Sequence, residues 1–209
     1  MQVHAPVRWW SVAIFVPALF AIFWATAYLA PPATELGALY QYFGAALVAF
    51  ALAMVPYGRA AFGLLAFRPA GWRLVSAGML GGLIVSVAVS PIAQESEWLQ
   101  QVVEMVRESG QLLASLLLIA GLAPLAEELV FRGLLYGWLE GRWGPRVAVV
   151  GSALAFAAAH SEPVYIAMAL PSGLFLGLLR WRSNSLVTPL IAHVTNNGAF
   201  VLMAKYLDF

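Results

Sequence analysis

The chain contains no cysteine. That removes disulfides, thiolate metal sites and a cysteine nucleophile together, and it leaves the redox compartment unreadable. Charge is also scarce. Only 10% of the 209 residues are charged, against about 25% in a soluble domain. Aspartate occurs once, as Asp208 at the C-terminus, so an aspartyl dyad is excluded. There is no Gly-x-Ser-Gly or Gly-x-Ser-x-Gly, which weakens a serine protease reading, and no His-Glu-x-x-His zinc signature. Repeats, low-complexity tracts and a linker long enough to divide domains are all missing. No cleavable signal peptide is expected, because the first apolar stretch is too long for an h-region. A net charge of +1 gives no argument for a nucleic-acid partner.

What is present is hydrocarbon. The chain is 62% hydrophobic, with a mean hydropathy of +0.84. Seven apolar segments follow one another: Trp9 to Ala30, Gly37 to Pro56, Leu74 to Gln94, Gln111 to Glu140, Pro145 to His160, Val164 to Arg180 and Leu186 to Lys205. Most approach the roughly 20 residues that a spanning helix needs; the fifth and sixth are short. The expected fold is all-α, a polytopic transmembrane helical bundle of about seven spans, with residues 1–209 as a single membrane domain. Arg8, Arg59, Arg68, Arg73, Arg142, Arg146, Arg180 and Arg182 all fall on one side if the spans alternate. The positive-inside rule then puts the N-terminus in the cytoplasm. Residues 95–108 repeat Trp98, Leu99, Val102, Val103 and Val106 at helical spacing among acids and glutamines. They read as an amphipathic surface helix, either a connector packed on the bundle or a gate or substrate-docking element.

Against this background, three motifs put polar groups where the sequence says membrane. Such residues are costly in hydrocarbon and usually functional. Glu127 and Glu128 precede Arg132, Phe156 precedes His160 by one turn, and His193 precedes Asn197 by one turn. Glu128 and Arg132 share a helix face and can pair. Glu127 is turned about 100° from Glu128 and is freer to handle a proton. A structural Glu–Arg lock explains one glutamate but not its neighbour. His160 alone reads as a packing residue, and Asn196 as an interhelical hydrogen-bonding residue. Depth links the three motifs. Glu128 lies 14 residues from Arg142, His160 lies 14 from Arg146, and His193 and Asn197 lie 11 and 15 from Arg182. For straight helices these are all roughly 17 to 22 Å from the inner boundary, which suggests one active site within the bilayer.

At these residues the chain resembles the CPBP family of glutamic intramembrane proteases (CAAX proteases and bacteriocin-processing enzymes). Glu127, Glu128 and Arg132 match its Glu-Glu-x-x-x-Arg motif, Phe156 and His160 its Phe-x-x-x-His motif, and His193 and Asn197 its His-x-x-x-Asn motif. The resemblance covers the four C-terminal segments, so residues 111–209 would form a catalytic four-helix core. It implies an endopeptidase acting on a membrane-associated peptide or protein, lipidated or not. Glu127, helped by His160, would activate a water, and His193 and Asn197 would donate to the oxyanion. Arg132 would hold Glu128, and Phe156 would touch substrate. No cofactor is expected. Zinc is the alternative, since two Glu and two His are acceptable ligands. Two further readings stay open: an ion- or proton-coupled transporter, and a non-catalytic immunity or assembly factor. The expected location is a bacterial or archaeal cell membrane, as a multi-pass integral protein.

Overall fold

The architecture comes from a computed structural model that describes residues 7–68, 71–93, 95–108, 112–160 and 162–206. Gln94 and Gln111, used above as segment ends, and Asp208 lie outside the described residues. In hydrocarbon every backbone polar group must be satisfied within the chain, and helices do this locally. Accordingly, the described residues form helices joined by short connections: α1 (Trp9–Leu29), α2 (Glu35–Met54), α3 (Ala60–Leu64), α4 (Trp72–Ala93), α5 (Glu97–Glu108), the composite α6 (Leu112–Trp143), α7 (Pro145–Ala158), α8 (Pro163–Ser183) and α9 (Val187–Tyr206). Each of the seven expected segments is a helix, with ends shifted by a few residues.

Among the described residues, five helices are long and apolar enough to cross a membrane by themselves: α1, α2 with the turn that follows it, α4, α6 and α8. The other two expected spans are different in kind. Helix α7 is apolar but has only 14 residues. Helix α9 has 20 residues, yet His193, Thr195, Asn196 and Asn197 crowd its middle. These two helices carry the second and third motifs. Neighbours α4, α5, α6 and α8 pack around α9, so its polar middle meets protein.

Small residues decide how the helices approach, as expected where lipid tails compete for apolar contact. In α2, Ala45, Ala46, Ala49 and Ala53 are buried, and α1 lies against that helix. In α4, Gly78 faces Leu179 and Ala192, and Gly81 faces Phe175. This seats α4 across α8 and α9. On the other side of α8, Gly173 and Gly177 lie over Ala153 and Val149 of α7. Gly144 turns the chain from α6 into α7 at φ 83°, a left-handed conformation that glycine adopts without strain.

One basic residue departs from its expected place. Arg180 is a helical residue in the last turn of α8 and is only 3% exposed. Its Nε donates to the Arg132 carbonyl at 3.3 Å, and its guanidinium lies over the Tyr136 ring at 5.1 Å. Burial of a cation is tolerated here because an aromatic face and a carbonyl replace water. It is therefore an internal strut, not one of the loop charges.

Helix α5 is amphipathic as expected, and its partner is now visible. Val102 and Val106 pack on Val201 and Ala204 near the end of α9. Lys205 donates to the carbonyls of Val106 and Arg107 at 3.3 and 2.8 Å, and Arg107 donates to the Ala204 carbonyl at 3.0 Å. A cation at the C-terminal carbonyls of a helix is favoured by the helix dipole.

Candidate active site

Helix α6 carries the first motif and is not a uniform α-helix. Its turns are widened to π geometry over Leu116–Leu122 and again over Glu128–Leu135. Such wide turns are rare and frequent at functional sites. In the first, the Ala123 N–H bonds to the Leu118 carbonyl, five residues back. The same register would pair residue 124 with Ile119, but Pro124 has no N–H to give. The Asn197 side chain supplies the missing donor: its Nδ2 reaches the Ile119 carbonyl at 2.9 Å.

Glu128 and Arg132 are fully buried, and Arg132 Nη1 donates to Glu128 Oε1 at 3.1 Å. The pairing expected from their spacing is present. The same oxygen also accepts from His193 Nδ1 at 3.0 Å. Arg132 is held from two further directions. Its Nη2 donates to the Gly173 carbonyl at 3.1 Å, and its guanidinium lies 4.5 Å from the Phe156 ring centroid. Glu128 Oε2 and Arg132 Nε are buried without a partner.

Glu127 faces away from this lock. Its side chain is 17% exposed, and Oε2 lies 3.5 Å from His193 Nε2. His193 thus stands between the two glutamates, one on each ring nitrogen. A carboxylate can only accept, so Nδ1 carries a proton toward Glu128. His160 lies just beyond the end of α7, with Nδ1 at 2.8 Å from the Phe156 carbonyl. A carbonyl also only accepts, so Nδ1 is protonated and Nε2 is left as the basic nitrogen. Both histidines act electrostatically on Glu127.

Phe156 is 4% exposed. Its ring is taken up by Arg132, by Phe131 at 5.4 Å, and by His160 and His193 at 4.9 and 5.9 Å, all three ring contacts edge-on. This residue, expected against substrate, is packed inside the polar cluster. Asn196 accepts a hydrogen bond from Ser86 of α4, the interhelical role read from its position.

Two tyrosines near Glu127 escaped the sequence reading. Tyr42 of α2 and Tyr165 of α8 both interact electrostatically with Glu127. Neither belongs to a motif, and a tyrosine in an apolar helix reads as an interface residue. Tyr42 also lines a groove of about 230 Å³ with Val12, Phe15, Leu19, Val130 and Glu127 itself. The groove exists because α1 leans mainly on α2 and barely touches α6. Its wall is hydrocarbon, with one carboxylate.

A metal would need three protein ligands and an open position. Among the described residues no group of three or more His, Asp or Glu side chains is arranged to hold one. His193 spends Nδ1 on Glu128, and only Glu127 stands at its other nitrogen.

Comparison with known proteins adds one finding. The sequence pattern of the family described as Type II CAAX prenyl endopeptidase Rce1-like matches residues 109–199. That is somewhat under half of the chain, and it takes in all three motifs. No curated protein and no solved structure matches the chain significantly.

The Gly173 contact yields a prediction. A Cβ there would lie 3.1 to 3.3 Å from Phe156 and from Ala153, whose backbone is among the contacts. Gly173→Ala is expected to cost about 1–3 kcal/mol through overpacking and to loosen the carbonyl from Arg132. Thermal unfolding in detergent checks this. An unchanged midpoint would mean that α7 and α8 have room to separate.

Proposed function

We propose that this chain belongs to the CPBP family of CAAX proteases, that it is accordingly a peptide hydrolase of the membrane, and that it cleaves its substrate with water activated by Glu127. The observation that carries the reading is the split between the two glutamates. Glu128 is locked by Arg132 and His193, while Glu127 is partly open, against His193 and an apolar groove. A general base must reach both water and substrate, and only Glu127 meets that condition. The family match favours hydrolysis over the transport and non-catalytic readings.

The steps follow from the side chains. Water held by Glu127, with His160 Nε2 assisting, loses a proton to the carboxylate as it attacks the peptide carbonyl. The carbonyl oxygen gains charge and would be met by His193 and Asn197. With Nδ1 committed to Glu128, a proton on Nε2 would let His193 donate to that oxygen. Collapse of the adduct then breaks the C–N bond, and the proton held by Glu127 passes to the leaving amine. A second reading has its own support. The 3.5 Å approach of His193 Nε2 to Glu127 Oε2 would also let these two share the water's proton. Asn197 keeps one amide hydrogen after bonding Ile119, so it can serve as a clasp and a donor together. The substrate peptide would reach Glu127 from the bilayer through the groove between α1 and α6. The basic residues between spans favour a cytoplasmic N-terminus.

Three measurements test this. Glu127→Gln keeps the shape and removes the carboxylate. With purified protein and a membrane peptide substrate, turnover is expected to fall at least about a hundredfold. Near-normal turnover would sink the assignment.

Asn197→Ala is expected to lower kcat by roughly 100- to 1000-fold with a smaller change in KM, as for a donor used in the transition state. A raised KM with kcat intact would make Asn197 a substrate-binding residue. Lost stability with kcat intact would leave only its clasp on Ile119.

We also propose that the reaction needs no metal. Extensively dialysed protein is then expected to lack stoichiometric zinc and to keep its activity in a strong chelator. One zinc per chain, with chelator inactivation reversed by zinc, would overturn the glutamate-only mechanism and leave the hydrolase standing.

A further inference from the structure

The His160 backbone is pinned in a turn, its N–H on the Ala157 carbonyl at 3.1 Å and its carbonyl accepting from the Glu162 N–H at 2.7 Å. The direction of the ring is left to the side-chain torsions. Helix α7 ends at Ala158, and His160 sits in the turn that follows. Its orientation therefore depends on what touches the ring. One contact is the Phe156 carbonyl on Nδ1, and a second is the Phe156 ring. The third is the ring of Tyr165, edge-on at 4.5 Å and 85°. Phe156 lies on α7, the helix that leads into the His160 turn, so Tyr165 is the contact that ties the ring to α8.

Tyr165 is itself held from outside. Trp98 of α5 stacks on it at 4.7 Å and 29°. Nearby, Ser96 Oγ donates to the Glu162 carboxylate at 2.6 Å and accepts from the Leu99 N–H at 3.1 Å. Helix α5 is thus fastened at two points to the start of α8, immediately after the His160 turn. The chain of rings runs Trp98, Tyr165, His160, Phe156, and ends on the Arg132 guanidinium.

We infer that Tyr165 is a positioning residue for His160: its ring, backed by Trp98 of the surface helix, fixes the imidazole so that Nδ1 stays on the Phe156 carbonyl and Nε2 faces the Glu127 side of the site. The effective part is the ring edge and face, and the hydroxyl is dispensable. The catalytic consequence rests on the proposed role of His160; the effect on the imidazole does not.

The test combines a spectroscopic and a kinetic readout. The chain has three histidines, His4, His160 and His193, so nitrogen NMR of imidazole-labelled protein in detergent can assign each tautomer, with a His160→Gln sample as the marker. Wild type and Tyr165→Phe are expected to show His160 in the Nδ1-protonated form. In Tyr165→Leu the ring is expected to sample both tautomers. On a membrane peptide, Tyr165→Phe is expected to stay within about threefold of wild type. Tyr165→Leu is expected to lose roughly 10- to 100-fold in kcat, the range for a misplaced catalytic group, with KM little changed. Trp98→Leu should move both readouts in the same direction by less.

A single Nδ1-protonated tautomer in Tyr165→Leu would overturn the inference. So would a Tyr165→Phe variant as damaged as Tyr165→Leu, because the hydroxyl would then be the working part. If Tyr165→Leu does not fold, an unchanged His160 tautomer and kcat in Trp98→Leu overturn it instead. Should wild type cleave nothing, the tautomer still decides the positioning role, and only the protease mechanism fails. Should wild type cleave, Glu127→Gln not cleave and the tautomer stay fixed, the reverse holds.

Discussion

One oxygen atom organises the half of this protein that carries the three motifs. Glu128 Oε1 accepts from Arg132 and from His193, and so joins α6 to α9. Arg132 extends the joint to α8 through the Gly173 carbonyl and to α7 through the Phe156 face. Four helices meet at one buried ion pair. Such a pair is a poor source of net stability, since desolvation offsets the Coulomb attraction, yet removing one partner alone costs about 3–5 kcal/mol. The value of the arrangement is therefore geometric. It leaves few ways for α7, α8 and α9 to sit against α6 that do not strand a charge in hydrocarbon.

The same economy explains the unusual winding of α6. A proline in its middle and wide turns on either side would leave carbonyls without donors in a medium that offers no water. Asn197 answers one of these directly at Ile119. The polar group on α9 is thus recruited by a backbone defect on α6, and the defect in turn positions a side chain beside the site. The clasp on Ile119 and the proposed donor role would use the same amide. A kinetic split separates them.

Much of this was legible in the sequence because membrane helices make polar residues conspicuous. The seven segments, the Glu128–Arg132 pair and the bond to Asn196 follow from hydropathy and one-turn spacing. Convergence of the motifs followed from counting along straight helices, and it held even though α6 widens its turns. What could not be read depends on neighbours distant in the chain. The burial of Arg180 requires Tyr136 and the Arg132 carbonyl, and nothing near residue 180 announces them. Phe156 shares a face with His160 by spacing, but its cation contact with Arg132 comes from another helix. Tyr42 and Tyr165 carry no motif, and helical aromatics in lipid have too many ordinary uses to stand out.

The placement of the two glutamates finally connects packing to chemistry. Adjacent residues on a helix must face different ways. Here one face is sealed by an arginine and the other opens on a groove, so adjacency gives the two glutamates different surroundings. The groove wall is mostly apolar, and α1 beside it is mostly exposed. A carboxylate placed there is costly to desolvate, with His193 at 3.5 Å as its polar neighbour. It is tolerated because Glu128, Arg132 and His193 make the rest of the cluster rigid. The half of the chain without motifs contributes as well: α1 and α2 shape the approach to Glu127, and α5 braces the turn that carries His160.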